Sequence, residues 1–429
     1  MDRTIEGKAY INGSFENCCI GIKDGRIKNI KKILKSNEHI NFGNKLILPA
    51  GIDIHVHFRD PGYAHKEDFE TGSTSAAYGG IACVFDMPNT KPPTTTIDAL
   101  KEKIQIAKNK SHVDFGIFAG VNDKNIENID NFSNYCCGFK IFLGSTTDSF
   151  QLKSVNLKNV LLKINKTKMI TLFHAEDQQC LKESTINEQT LKDHLKGRPS
   201  RCEEISINNI LRNNNISSKI HICHISSIEG LNALKGSPNN VSVGVTPHHL
   251  FFDIGKPMLK KTFYKVNPPI RTNLDREFLW QGIRDGLIDV LESDHAPHTI
   301  DEKDQEFDKA PSGIPGIETM FPLFLAEAKN QNLNFKRLIS MLCEKPAEIL
   351  NIPKGRIEKE KDADLIVVDF NKTTSLESDK LHSKCGWSPF EGKKVIYPSH
   401  VFLRGEEVIE EYELVGSKGL GCNIRDKIP

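Results

Sequence analysis

Two histidines two residues apart, His55 and His57, end the apolar run Gly51-Ile-Asp-Ile-His-Val-His-Phe58. On a strand, alternate side chains share a face, so both imidazoles point the same way. His174 closes Thr-Leu-Phe-His, His224 closes His-Ile-Cys-His, and Asp294 follows Asp-Val-Leu-Glu-Ser. Lys140 lies inside the otherwise apolar Gly138-Phe-Lys-Ile-Phe-Leu-Gly144. Any one of these reads as a satisfied core residue, but ligand-type groups on five strands are hard to explain by packing. Four neutral imidazoles with carboxylate-type oxygens suit zinc or another borderline divalent ion. Two such ions about 3.5–4 Å apart would hold a water between them and bring its pKa down to ~7. Asp294 would accept the proton of that water and pass it to a departing nitrogen. A buried lysine ammonium is costly unless paired or neutralised. Either Lys140 meets an acidic partner or turns outward, or CO2 has converted it to a carbamate, an oxygen ligand able to bridge two ions.

These side chains need strands to carry them. Strand-like runs cover Gly51–Phe58, Ile81–Met87, Val113–Ala119, Gly138–Leu143, Met169–His174, Lys219–His224, Val241–Val245 and Ile288–Glu292. Segments with helical spacing separate them, such as Ile97–Lys108 with Ala99, Leu100, Ile104 and Ala107 on one side. Eight strands with helix-length connections predict an α/β fold, a (β/α)8 TIM-like barrel, with the chemistry at the strand ends that form its mouth. The rival, a doubly wound open sheet, usually carries a Gly-rich phosphate turn after its first strand; Arg59-Asp-Pro-Gly-Tyr63 stands there instead. Both ends of the chain read as short strands around turns: Ala9–Asn12, Cys18–Ile22 and Ile27–Ile33, then Asp364–Asp369 and a hairpin of Val401–Arg404 with Glu406–Ile409. The expected organisation is one small β-sandwich domain built from residues 1–48 and 355–429, flanking a metal-dependent barrel over 49–354.

Composition narrows the class. Lys and Arg number 57 against 56 Asp and Glu in 429 residues, so no basic surface for nucleic acid is expected. No apolar run approaches the ~18 residues of a membrane span, and the start lacks a secretory pattern. The eleven cysteines, without CxxC pairing and partly inside apolar runs, are expected as reduced, mostly buried thiols of a cytoplasmic protein.

Further stretches carry a resemblance. They are Leu48-Pro-Ala-Gly-Ile-Asp-Ile-His-Val-His-Phe-Arg-Asp-Pro-Gly62, Asp86-Met-Pro-Asn-Thr90, Phe139-Lys-Ile-Phe-Leu-Gly144 and His174-Ala-Glu176. To these add Thr246-Pro-His-His-Leu250, Lys265-Val-Asn-Pro-Pro-Ile-Arg271, Ser293-Asp-His-Ala-Pro-His298 and Gly313-Ile-Pro-Gly-Ile-Glu-Thr319, with Asp362–Asp369 and Ser388–Gly392 near the C-terminus. Over most of its length the chain resembles the cyclic amidohydrolases, and most closely the dihydroorotases. The resemblance implies reversible cyclisation of N-carbamoyl-L-aspartate to (S)-dihydroorotate in pyrimidine (UMP) biosynthesis. By position, it implies one metal held by His55, His57, Lys140 and Asp294 and a second by Lys140, His174 and His224. It implies a substrate carboxylate gripped by Arg59, Asn89 and His298, a further contact from Asn267, and ring support from the backbone of Pro311–Gly313. Arg59 lies two residues beyond His57, and its planar fork suits a carboxylate. The partner expected is the small-molecule substrate; self-association or association with aspartate carbamoyltransferase stays open.

The chain departs from the family pattern at Ala50, where Gly is usual, at Gly244, where Glu commonly precedes Val, and at Glu360, where many members have Gly. Gly244 bears on the packing of the seventh strand. Some relatives bridge the metals with an aspartate near the fourth strand, a part Asp148 would play here with Lys140 unmodified. His248 and His249 are expected to organise the loop after the seventh strand, and His221, three positions before His224, to face the helix layer. Two other activities compete: an allantoinase or hydantoinase, for which Arg59 would have no carboxylate to meet, and an inactive scaffold, which predicts a lost ligand where all six positions are filled.

Overall fold

The structure, a computed structural model, describes residues 1–147, 150–214, 218–256, 258 and 260–427. Asp148, the alternative bridging residue, lies outside the described residues. Eight parallel strands form one sheet in chain order: β5 (Gly51–Val56), β6 (Ile81–Asp86), β7 (Asp114–Gly120), β8 (Gly138–Phe142), β9 (Thr171–His174), β10 (Ile220–Ile222), β11 (Val241–Val245) and β12 (Val290–Leu291). The sheet closes on itself where Val56 bridges His295 in parallel and His57 N–H donates to the His295 carbonyl at 2.8 Å. Every barrel strand expected from the sequence is present, with ends within two residues of the reading. Alternation puts Lys140, His174 and Cys223 on the inner face together with His55, while Val84, Ile117, Ile141 and Val245 pack outward against the helices.

The termini supply the preceding strands β1 (Arg3–Ile11), β2 (Ser14–Lys23), β3 (Arg26–Lys31) and β4 (Glu38–Pro49), and the following strands β13 (Leu365–Val368), β14 (Thr374–Ser375), β15 (Lys394–Val395), β16 (His400–Leu403), β17 (Glu406–Glu410) and β18 (Glu413–Leu414). Apart from the small β14–β15 pair, they make one mixed sheet in the order β18-β17-β16-β13-β4-β1-β2-β3, folded around Ile5, Ile20, Ile27, Ile47, Leu365, Val367 and Phe402. The N- and C-terminal pieces meet where β13 runs antiparallel to β4, pairing Ile366 with Leu48. β4 has no counterpart among the expected strands. Its first half, Glu38-His-Ile-Asn-Phe-Gly-Asn-Lys45, is largely exposed and polar, and pairing with β1 rather than burial holds it extended. No described helix is long and apolar enough to cross a membrane.

The cysteine expectation needs one correction. Cys180 and Cys202 form a disulfide with Cα atoms 5.3 Å apart, between the helices Gln178–Glu183 and Ser200–Asn213. Their separation of 22 residues carries no local signature, and only the packing of the two helices brings them together. The other nine are free, and all but Cys422 are buried.

An ionic cluster joins the two parts. Lys354, buried, reaches Asp114 at the start of β7 (2.7 Å), Asp362 (3.0 Å) and Asp364 before β13, while Arg404 after β16 also pairs with Asp114. Burial alone would depress the Lys354 pKa, but Asp114, Asp364 and Asp362 together push it well above its ordinary value. Removing one member of such a group leaves buried charge uncompensated. Lys354→Met is therefore expected to lower unfolding free energy by about 3–5 kcal/mol, read from urea denaturation; an unchanged midpoint would show that the cluster contributes nothing.

Candidate metal and active site

The inner face of the barrel delivers its ligand-type side chains to one mouth. His55, His57, His174, His224 and Asp294 line a single cavity with Arg59, Asn89, Asn267, Phe142, Thr146, Thr147, Ser312 and Gly313. The imidazole centroids are 5.3 Å apart for His55–His57, 5.1 Å for His55–His224 and 4.9 Å for His174–His224. Asp294 Oδ1 lies 3.0 Å from His57 Nε2 and 3.4 Å from His55 Nε2. Lys140 sits beneath, fully buried, its Nζ donating to Cys223 Sγ at 3.1 Å; among the described residues it makes no ion pair.

Burial sets the protonation of this group. It pushes His55 down to about 4, His57 and His224 well below the ordinary imidazole value, and His174 down as well. Neutral imidazoles keep a free lone pair, and their hydrogen bonds decide where it points. His57 Nδ1–H donates to Asn89 Oδ1 at 2.7 Å, so its Nε2 lone pair faces the Asp294 carboxylate. His174 Nε2–H donates to Glu176 at 2.8 Å, which turns Nδ1 toward His224 Nε2, 3.2 Å away. With Asp294 ionised, two acceptors meet at 3.0 Å with no proton between them, a clash a cation resolves. Burial raises the Asp294 pKa, and His55 and Lys140 offset part of that rise. The donor set thus fits a divalent metal, with His55, His57 and Asp294 already clustered.

Three of these residues leave regular strand geometry. Arg59, His224 and Asp294 have φ of 64°, 38° and 45°, a left-handed conformation that costs a non-glycine residue about 1–3 kcal/mol. At His224 it answers the odd spacing from His221. His221 does not face the helix layer; it lies inside the barrel, its Nε2 3.2 Å from Glu292 Oε2. The positive φ of the later residue lets both histidines turn inward.

The residues expected at the substrate carboxylate divide. Arg59 is buried in the cavity wall, its Nε donating to the Pro297 carbonyl and its Nη2 3.2 Å from His298 Nε2. His298 stands behind Arg59, between it and Lys66, rather than in the cavity lining. Asn89 lines the cavity, its amide accepting from His57 and donating one N–H to the Thr147 carbonyl. Asn267 Nδ2 donates to Thr146 Oγ1, and its buried Oδ1 has no partner among the described residues. Gly313 has φ of 155°, and a Cβ there would lie 2.4 Å from the Ala296 carbonyl, so only glycine brings this loop so close. His249 fixes the loop after β11, bonding Thr246 at 2.7 Å and donating to the Pro268 carbonyl at 3.1 Å.

Residues 46–408 match the model of the Amidohydrolase family. The chain belongs to the amidohydrolase family. It is 39% identical over 413 residues, 96% of each chain, to a dihydroorotase of Thermoplasma acidophilum. To a dihydroorotase of Methanosarcina mazei it is 36% identical, covering 98% of this chain and 96% of that one. Among solved structures it is similar to an L-hydantoinase (dihydropyrimidinase) from Arthrobacter aurescens, with a TM-score of 0.93 at 27% identity over 98% of both chains.

Contacts behind the cavity side chains orient them. Glu176 is one that reading the sequence left without a role. Burial would raise its carboxyl, but Arg198 and the bond from His174 hold it well below the usual carboxylate range, so it stays an anionic acceptor. Its signal was present as i+2 from His174 on an inward face. Lys303 had none: its Nζ gathers the carbonyls of Lys265, Pro311 and Gly313 at 2.9–3.1 Å and binds two cavity loops together.

Asn89 offers a discriminating test. As the orienting partner of His57, its replacement by Leu is expected to weaken metal binding by about 10–100-fold, measured by chelator competition. A raised KM with unchanged metal affinity would instead make it a substrate contact.

Proposed function

We propose that the protein is a dihydroorotase, converting N-carbamoyl-L-aspartate and (S)-dihydroorotate into one another. The observation that carries this reading is the convergence of four neutral imidazoles and Asp294 in a cavity whose wall also holds a buried arginine. Its full-length relatives bear that name. The reading places two divalent ions, zinc first among the candidates, on His55, His57, Lys140 and Asp294 and on Lys140, His174 and His224. Lys140 supports a carbamate because its amine is buried without an ion-pair partner among the described residues, next to ligands of both halves. When bound, the ions supply Lewis acidity and a water that ionises near neutral pH.

The chain's own residues do the rest. Arg59 receives the carboxylate, its planar fork already braced by Pro297 and His298. Asn267 offers a free carbonyl to a ring N–H, and the Ser312–Gly313 backbone borders the ring. As water adds to the ring amide carbon, Asp294 accepts its proton; as the C–N bond breaks, it returns the proton to the ring nitrogen. Ring closure runs the same steps backwards.

Metal-loaded protein is expected to turn over dihydroorotate far faster than hydantoin, dihydrouracil or allantoin in parallel assays; the opposite ranking would make it a hydantoinase-type enzyme. Asp294→Ala is expected to lower kcat by at least about 10²–10⁴-fold while elemental analysis still finds metal at the His174/His224 half. Arg59→Met is expected to raise KM by about 10–100-fold, the loss of a charged hydrogen-bond pair, with a smaller change in kcat. A collapse of kcat alone would displace Arg59 from the carboxylate.

A further inference from the structure

Beneath the ligands lies a carboxylate that the mechanism above does not use. Glu292, on the segment leaving β12, is fully buried. One oxygen accepts the backbone N–H of His224; the other lies 3.2 Å from His221 Nε2 and 3.5 Å from His55 Nδ1. His55 Nδ1 is buried and makes no shorter hydrogen bond among the described residues, while His55 Nε2 faces Asp294. Glu292 therefore touches one ligand from each half of the centre: the ring of His55 and the backbone of His224, whose φ of 38° needs an outside restraint.

The room for this carboxylate comes from the neighbouring strand. Gly244 on β11 is paired with Val290 of β12. A Cβ at 244 would stand 2.4 Å from Glu292 Oε1 and 2.7 Å from His221 Nε2, closer than side chains pack. Glycine at this position, a departure in the sequence, is thus the complement of a glutamate at 292. With a side chain at 244, Glu292 and His221 could not both keep their present places.

We propose that Glu292 is a positioning residue for the metal centre, admitted by Gly244, which holds His55 with its Nε2 lone pair toward the metal and pins the strained backbone of His224. A carboxylate behind a ligating histidine fixes its tautomer and ring orientation and raises its basicity. The proposal rests on the two-ion reading of the site.

The test uses full-length protein: wild type, Glu292→Gln, Glu292→Ala, and Gly244→Asp combined with Glu292→Ala, which returns a carboxylate from β11. Zinc retention is measured by chelator competition, coordination by the visible absorption of cobalt-substituted protein, and folding by thermal unfolding of the metal-free forms. Glu292→Gln is expected to weaken zinc retention by about 10–100-fold and to alter the cobalt spectrum, with KM for dihydroorotate changing less than kcat. The double variant is expected to recover most of the retention and the wild-type spectrum. Should Glu292→Ala fail to fold, the isosteric Gln and the double variant still decide. Zinc retention and a cobalt spectrum unchanged in Glu292→Gln would overturn the proposal alone, as would a double variant no better than Glu292→Gln. A wild type that takes up no divalent ion would overturn it together with the reading of the site.

Discussion

Four imidazoles, a carboxylate and a lysine are buried together at one mouth of the barrel. Burial drives the imidazoles to their neutral form, so each offers a lone pair rather than a charge. The same burial raises the Asp294 pKa and leaves Lys140 without an ion pair among the described residues. Such a group is stable only if the barrel wall holds it or a cation joins it. The rest of the architecture can be read as meeting that condition.

Part of the holding is done by polar groups that never touch the reacting atoms. Asn89 sets the tautomer of His57, and Glu176, itself held by Arg198, sets that of His174. Glu292 stands behind His55 and under His224. Every one comes from a strand or loop other than that of the residue it serves, apart from Glu176. The geometry of the centre is therefore a property of barrel closure, secured where β5 meets the segment after β12. Backbone strain at Arg59, His224 and Asp294 is concentrated at the same mouth, where closure can sustain it.

The mixed terminal sheet stands away from the chemistry but is tied into the barrel. Its joint with β7 is ionic, through Lys354, Asp114, Asp362, Asp364 and Arg404. A buried cluster of this kind adds directional preference more readily than net stability. Here it sets the N-terminal end of β7 against β13 and β16, while the opposite ends of the barrel strands remain free to carry the loops of the cavity.

Periodicity was enough to find the eight barrel strands, because parallel strands buried on both faces read as apolar runs between turns. It also placed His55 and His57 on one inward face, since alternation is a local property, and set Lys140, His174 and Asp294 within or at the ends of strands. It could not find β4, whose exposed first half is held by pairing, or the Cys180–Cys202 bridge, whose partners meet only through helix packing. Alternation misdirected His221, because a single left-handed residue at His224 resets which side chains face inward. The family resemblance implied that Asn89 and His298 meet substrate. Tertiary structure adds the bonds from the Asn89 amide to His57 and Thr147 and the contact of His298 with Arg59, because hydrogen-bond partners are chosen by proximity across the barrel. Which atoms could bind a metal was determined by the chain's own letters; which way each lone pair points was decided only by closure, through contacts between residues far apart in sequence.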